Sequence, residues 1–139
     1  MKTNNIGTPT DTSKIIHSIQ ESYWMCIGAI SNGVMQSALS QAIKYSNERQ
    51  QFSKPISNFE AIQNKLSNIS TDIEVSLAML EKSCKSKDAG EDILRESAMT
   101  KIFTTEKAQQ NTKLALLVPV SYTHLRAHET DSYIVCRIM

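Results

Sequence analysis

The sequence predicts an all-α fold of three long antiparallel helices, and three observations carry that expectation. Gly and Pro total only seven of 139 residues and aromatics only 6%, too few for a turn-rich β architecture. Phe59, Ile62, Leu66, Ile69, Ile73, Leu77, Leu80 and Cys84 recur at a spacing that alternates between three and four residues almost throughout, the seam of a helical bundle. On either side of that seam, a further stretch carries apolar residues at helical period.

The chain is long enough for one domain with a core. A formal charge of +1 provides no general attraction for nucleic acid or an anionic membrane. No apolar run approaches a membrane span, and the polar start MKTNNIGTPTDTSK does not read as a secretory leader. Three cysteines without metal-ligand spacing read as reduced thiols, which favours a cytoplasmic protein. Cys26 and Cys84 fall within helical apolar patterns, and both are expected to be buried.

Residues 1–12 have no period and read as a lead-in loop, with Thr12 or Ser13 placed to cap the helix that follows. The first helix is expected from about Ser13 to about Asn47. Ile15, Ile16, Ile19, Tyr23, Trp24, Ile27, Ile30, Val34, Leu39, Ala42 and Ile43 form its apolar face. Gly28 and Gly33 lie inside it, each costing about 1 kcal/mol against Ala, so close approach of a neighbouring helix or a ligand is expected there. At about 1.5 Å per residue the helix spans roughly 50 Å, which suggests a larger parent protein.

The second helix is expected to open on a capping box, Ser57-Asn58-Phe59-Glu60, with Glu60 reaching back to the cap. Lys82, Lys85 and Lys87 suit the negative end of its dipole, and Asp88-Ala89-Gly90 breaks it. The third helix runs from about Glu91 to about Val118. Its expected buried face is Ile93, Leu94, Ala98, Met99, Ile102, Phe103, Ala108, Leu114 and Leu117.

Between the first two helices lies the one stretch that reads as chemistry, Glu48-Arg49-Gln50-Gln51-Phe52-Ser53-Lys54-Pro55-Ile56. Arg offers a rigid fork of donors for phosphate or carboxylate, Gln a neutral donor and acceptor, and Phe a flat apolar face. That set suits a nucleotide cofactor. The same residues also suit a plain helix end, with Arg near the last carbonyls and Phe plugging the turn.

The stretch YSNERQQFSKPISNFEAIQNKLSNI (45–69) resembles the acyl-CoA dehydrogenase family, whose C-terminal helical domain carries Glu-Arg-x-Gln-Phe-Gly-x-Pro-Ile followed by Phe-Gln-x-Ile-Gln-x-Lys-Leu-Ala-Asp-Met. Ile6-Gly7 resembles the Leu-Gly with which the family's chain leaves its β-domain, and DAGEDILRESAMTKIF (88–103) is similar to the family's D-x-G … A-x-M-A-K-x-F, so the resemblance covers most of residues 6–117. It implies three helices of an incomplete four-helix bundle from a flavoenzyme that dehydrogenates acyl-CoA thioesters at the α and β carbons. In that chemistry a carboxylate takes the α proton, flavin adenine dinucleotide (FAD) takes the hydride, and an electron acceptor reoxidises the flavin. The complete protein is expected to be a homodimer or homotetramer, with this domain reaching a neighbouring subunit's FAD.

Carried over by position, Arg49 pairs with the FAD pyrophosphate, Gln51 hydrogen-bonds nearby and Phe52 packs on the cofactor. Three departures stand out. The family's Gly after Phe is Ser53, tolerable only where the backbone avoids positive φ. A cofactor-contacting Gln is Glu60, whose carboxylate repels pyrophosphate unless protonated or paired with Arg49, so the cap role is favoured for it. The family's Asp-x-x-Arg near the acyl-CoA site falls on Glu21-Ser22-Tyr23-Trp24, which keeps an acid but replaces the Arg with Trp24 and leaves substrate class open. The β-domain, the fourth helix and the region of the catalytic carboxylate are not found in this sequence. The expected reading is therefore a fragment, inactive alone and with no catalytic residue of its own. The rival reading is a non-catalytic helical interaction module that oligomerises.

Residues 119–139 read differently. Val120–Thr130, VSYTHLRAHET, resembles a translated transposase-type sequencing adapter at all eleven positions. Tyr133–Met139 follows the adapter's remainder with three Leu replaced, at Ile134, Ile138 and Met139, each a single base change. His124 and His128 are four residues apart, but no carboxylate or Cys is placed to complete a shell, so no metal site is expected.

Overall fold

The computed structural model describes residues 9–138, and side-chain environments for residues 12–118. The elements are α1 (Pro9–Glu48), β1 (Gln50–Gln51), β2 (Lys54–Pro55), a 3₁₀ turn (Ile56–Asn58), α2 (Glu60–Asp88) and α3 (Leu94–Ile138). Three long helices carry the fold, as expected. Leu80 of α2 meets Gly28 of α1, and Lys87 at the end of α2 meets Ser18 near the start of α1, so these two helices run antiparallel. Thr100 and Thr104 meet Gly28, and Asn111 meets Met35, so α3 runs parallel to α1 and antiparallel to α2.

Several boundaries differ from expectation. α1 opens at Pro9, whose fixed φ and missing N–H suit a first helical position, so residues 9–12 of the expected lead-in are helical and neither Thr12 nor Ser13 is the cap; residues 1–8 lie outside the described residues. α3 starts at Leu94, whose N–H is accepted by Asp92 Oδ1 at 3.1 Å, a side-chain cap that satisfies one orphan donor. It continues past the expected end near Val118 to Ile138. The break after α2 is as expected. Gly90 sits at φ 78°, Gly90 N–H bonds Lys87 O and Glu91 N–H bonds Ser86 O, the pair of reverse bonds that terminates a helix on a left-handed residue.

The inward faces of α1 and α3 are a larger correction. Ile15, Ile16, Ile19, Tyr23, Ile30, Val34 and Ile43 of α1 are exposed. The line turned inward is instead Glu21, Gly28, Asn32, Met35, Ala42 and Ser46, all buried at heptad spacing. On α3 Met99, Ile102 and Leu117 are exposed, while Ser97, Thr100, Thr104, Asn111, Ala115 and Val118 are buried beside Ile93. The physical reason is arc width. An apolar stripe wider than two neighbours can cover must leave part of itself outside, and the helices meet where backbones approach closest. A Cβ on Gly28 would stand 3.0 Å from Leu80 Cδ2 and 3.3 Å from Thr104 Oγ1, so Gly28 is the point of closest approach; Gly33 faces open space.

The α2 seam holds for Ile62, Ile69, Ile73 and Leu80, with Phe59 and Leu66 half-buried. Beyond Ile73 it advances three residues to Ser76 rather than four to Leu77, and then to Leu80 and Ser83. Leu77 and Cys84 therefore turn outward, and Cys26 is exposed as well.

The hydroxyls inside this interface are satisfied locally. Ser76 Oγ donates to Asp72 O, Ser83 Oγ to Met79 O and Thr104 Oγ1 to Thr100 O, while Ser83 and Thr100 hydroxyls meet at 3.1 Å. One charged layer crosses the bundle. Asn111 Nδ2 donates to Asp72 Oδ2 at 3.1 Å and lies 3.4 Å from Met35 Sδ, and Lys107 Nζ pairs with Asp72 Oδ1 at 3.1 Å. The apolar core lies toward the other end, where Met35, Ala42, Ile56, Ile62, Ile69, Ile73, Ala115 and Val118 pack together. That core anchors the connection between α1 and α2.

Candidate functional site

The connection is a small hairpin rather than an irregular turn. Arg49 N–H still bonds Tyr45 O, the last bond of α1, and Arg49 O accepts Ile56 N–H at 2.9 Å, closing the base of the loop. Above that bond β1 and β2 pair antiparallel, Gln50 opposite Pro55 and Gln51 opposite Lys54. Pro55 holds Lys54 in extended backbone, as expected. Only Phe52 and Ser53 remain to turn the chain, at φ 50° and 63°. A two-residue hairpin with both central residues left-handed follows strand twist, and it normally takes Asn or Gly.

This overturns the expectation that Ser53 avoids positive φ, because pairing on both sides leaves only two residues for the turn, and of the two turns that follow strand twist this loop takes the one with both residues left-handed. Holding non-glycine residues there costs about 1–2 kcal/mol each, and strain of this kind concentrates at functional loops. Two anchors hold it. Ile56 is fully buried in the core, and Phe59 packs half-buried against the same cluster. The Phe52 ring meets Phe59 edge to face at 6.4 Å, and Lys54 Nζ lies 4.4 Å from the Phe59 ring centre, distances at which ring and cation attract.

The expected cofactor residues Arg49, Gln51 and Phe52 are thus on one loop. Arg49 is exposed, and its guanidinium has no partner among the described residues. Gln51 is half-exposed and Phe52 is 65% exposed. Glu60 differs from its expected role. α2 starts at Glu60 itself, with Phe59 at the cap and no side-chain cap bond, so the capping box does not form. The reason is register: Ser57 lies inside the 3₁₀ turn and Phe59 is the cap, so Glu60 is the first helical residue rather than the third after a Ser cap. Glu60 keeps only the dipole role of an acid in a first turn.

Glu21 and Trp24, the expected substrate residues, lie elsewhere. Twenty-eight residues of α1 separate Glu21 from Arg49, roughly 42 Å of helix at about 1.5 Å per residue. Glu21 is 8% exposed and Trp24 half-buried. A cation from α2 reaches Glu21: Lys87 Nζ sits 3.4 Å from Glu21 Oε2 and donates to Ser22 Oγ at 2.7 Å and Ser18 O at 3.3 Å. Sequence reading saw Lys87 only as a dipole partner, and a contact across 66 residues leaves no local signal. The Asp72–Lys107–Asn111 layer was missed for the same reason. An apolar groove of about 340 Å³ near the hairpin end is lined by Ala38, Gln41, Ala42, Tyr45, Thr112, Ala115 and Leu116. Among the described residues no cluster of His, Cys, Asp or Glu could hold a metal, and no helix is long and apolar enough to cross a membrane. His124 and His128 lie outside the residues whose side chains are described.

Comparison with known proteins agrees with this arrangement. The family model for the acyl-CoA dehydrogenase C-terminal domain matches residues 24–119. The probable acyl-CoA dehydrogenase YngJ of Bacillus subtilis is 32% identical over 115 residues, 83% of this chain and 30% of the relative. The benzylmalonyl-CoA dehydrogenase of Aromatoleum aromaticum is 35% identical over 107 residues, 77% of this chain and 28% of the relative. Among solved structures, an FAD complex of PigA superposes with a TM-score of 0.74 at 27% identity, covering 81% of this chain and 30% of that one. The chain spans less than a third of the length of each of these proteins. Three helices, a hairpin between the first two and a family match over most of the length lead to one conclusion: this chain belongs to the acyl-CoA dehydrogenase family and carries its helical C-terminal domain.

Proposed function

We propose that this chain is the cofactor-contacting helical part of an FAD-dependent acyl-CoA dehydrogenase. FAD, when bound, accepts a hydride. This chain's own part is to bind and orient. Arg49 holds the pyrophosphate through its guanidinium fork, Gln51 adds a hydrogen bond, and Phe52 presents its ring to the cofactor. The observation that carries the reading is an unpartnered Arg49 beside a strained turn that holds Phe52 65% exposed. Two left-handed non-glycine residues carry a cost, and strain of that kind clusters at ligand-binding loops. The FAD complex of PigA, similar in fold over this region, supports the same cofactor.

Glu21 and Trp24, about 42 Å along α1 from Arg49, are assigned to the acyl-CoA side on the family resemblance alone. On the same resemblance the complete protein works as a homodimer or homotetramer and passes electrons to a separate acceptor. In this reading the catalytic base and much of the flavin site belong to parts of the protein beyond these helices, and this chain alone neither oxidises acyl-CoA nor retains FAD. Residues 119–139 are adapter-encoded in this reading, which the end of the family match at residue 119 supports.

The alternative, a non-catalytic interaction module, draws on the exposed Ile15, Ile16, Ile19, Tyr23 and Ile30 of α1. It leaves the hairpin without a purpose. The test is FAD occupancy of a full-length subunit built on this sequence, read from visible absorbance after gel filtration. Arg49→Ala should lower affinity by roughly ten- to a hundredfold, the value of a charge-assisted bond to phosphate. Equal occupancy in wild type and Arg49→Ala rejects the cofactor role.

A further inference from the structure

The hairpin brings a second cation to the face that carries Gln51. Gln51 and Lys54 are opposite each other across the antiparallel pair, and residues so placed project from the same face. The Arg49 O to Ile56 N–H bond extends the register by one step, which makes Arg49 the diagonal neighbour of Lys54, about 7–8 Å away and within reach of two long side chains. Among the described residues neither cation is paired with a carboxylate; the acids in ion pairs are Glu21, Asp72 and Glu81. Lys54 is not adrift either, because its Nζ lies 4.4 Å from the centre of the Phe59 ring. Phe59 is held by the core on one side and by the Phe52 edge on another.

We infer that Lys54 is a second diphosphate-binding cation, gripping the phosphate next to the one that Arg49 holds, with Phe59 as the residue that positions it. This rests on the cofactor reading of the hairpin. A fork at one corner and a point charge at the diagonal corner suit a diphosphate better than a single phosphate or a carboxylate, because two adjacent anionic groups can be contacted separately.

The test titrates FAD into the apo form of a full-length subunit built on this sequence, following flavin fluorescence, for wild type, Lys54→Met, Lys54→Arg and Arg49→Ala. Lys54→Met is expected to bind FAD about tenfold more weakly, the low end for a charge-assisted bond at an exposed site. Lys54→Arg keeps both the charge and the ring contact and should stay within about twofold of wild type. The melting temperature of the apo protein should not move, since Lys54 is exposed. Wild-type affinity in Lys54→Met alongside weakened binding in Arg49→Ala overturns this inference and leaves the cofactor reading standing. Unchanged affinity in both variants rejects the cofactor reading, and this inference with it.

Discussion

Gly28 and Gly33 lie in the same helix, five residues apart, and their surroundings predict opposite responses to one added methyl group. In either interior position, Gly→Ala gains about 1 kcal/mol of helix propensity. At Gly33 nothing stands within 4 Å of the new Cβ, so that gain should appear whole. At Gly28 the Cβ would lie 3.0 Å from Leu80 Cδ2, 3.3 Å from Thr104 Oγ1 and 3.6 Å from Thr100 Cγ2. Leu80 is only 7% exposed and Thr104 fully buried, so neither can swing clear, and overpacking of this sort costs about 1–3 kcal/mol. Gly33→Ala should therefore stabilise by about 1 kcal/mol, and Gly28→Ala should be neutral or destabilising by up to about 2 kcal/mol. Gly28→Val should be worse than either. Urea unfolding followed by circular dichroism reads all three as shifts in midpoint at constant slope. Equal stabilisation by Ala at both positions would refute the close approach of α1, α2 and α3 at Gly28.

Four further outcomes follow from the same geometry. Gly90→Ala, at φ 78°, should destabilise by about 1–2 kcal/mol, measured in the same urea titration. Asn32 is 3% exposed and its Oδ1 has no partner among the described residues; Asn32→Leu should raise stability by about 1 kcal/mol by removing an unsatisfied buried acceptor, read from the thermal midpoint. Glu60 makes no cap bond and stands where the resemblance puts a cofactor-contacting Gln, so Glu60→Gln in a full-length subunit should tighten FAD binding several-fold by removing a like charge, measured by fluorescence titration. A chain stopped at Val118 should melt no lower than the full chain; a drop of several degrees would overturn the adapter origin proposed for residues 119–139.

What was legible in the sequence was local. The break at Asp88-Ala89-Gly90 depends on one residue free to take positive φ, and the extended entry into α2 depends on Pro55; both are readable within a few positions. The existence of three helices was equally plain from their period. Which face turns inward was not. The apolar arc of α1 is broad, and the choice between Ile16-Ile19-Tyr23 and Glu21-Gly28-Met35 is made by closeness of approach at Gly28, a fact about two other helices. The hairpin was hidden for a different reason. Phe52 and Ser53 are poor residues for a left-handed turn, so a reading from turn preference places no hairpin there. The positions that defied local preference are the ones beside Arg49, which is where strain is expected if the loop is built for a ligand. Glu60 shows the converse error: a good capping-box pattern fails because the 3₁₀ turn takes up Ser57 and moves the cap to Phe59.

The distribution of polarity across the bundle carries the functional reading one step further. Along α3 the inward line of Ser97, Thr100, Thr104 and Asn111 buries little apolar area; the Ser97 and Thr104 hydroxyls return their bonds to their own helix, and Thr100 meets Ser83 of α2. Such an interface can pack closely but contributes little of the roughly 25 cal/mol per Å² that drives folding. The large apolar residues of α1 and α3 point the other way, with Ile19 at 64%, Ile30 at 68% and Leu116 at 64% exposure. Patches of that kind mark surfaces made for contact. The one strongly apolar core gathers instead at the hairpin end, around Ile56, Ile62 and Val118. The loop that holds Arg49, Gln51, Phe52 and Lys54 is therefore anchored on the apolar cluster through Ile56 and Phe59, which offsets the strain of its two left-handed residues. In the proposed cofactor reading that anchoring matters, because each side chain already fixed spares the entropy that binding would otherwise cost.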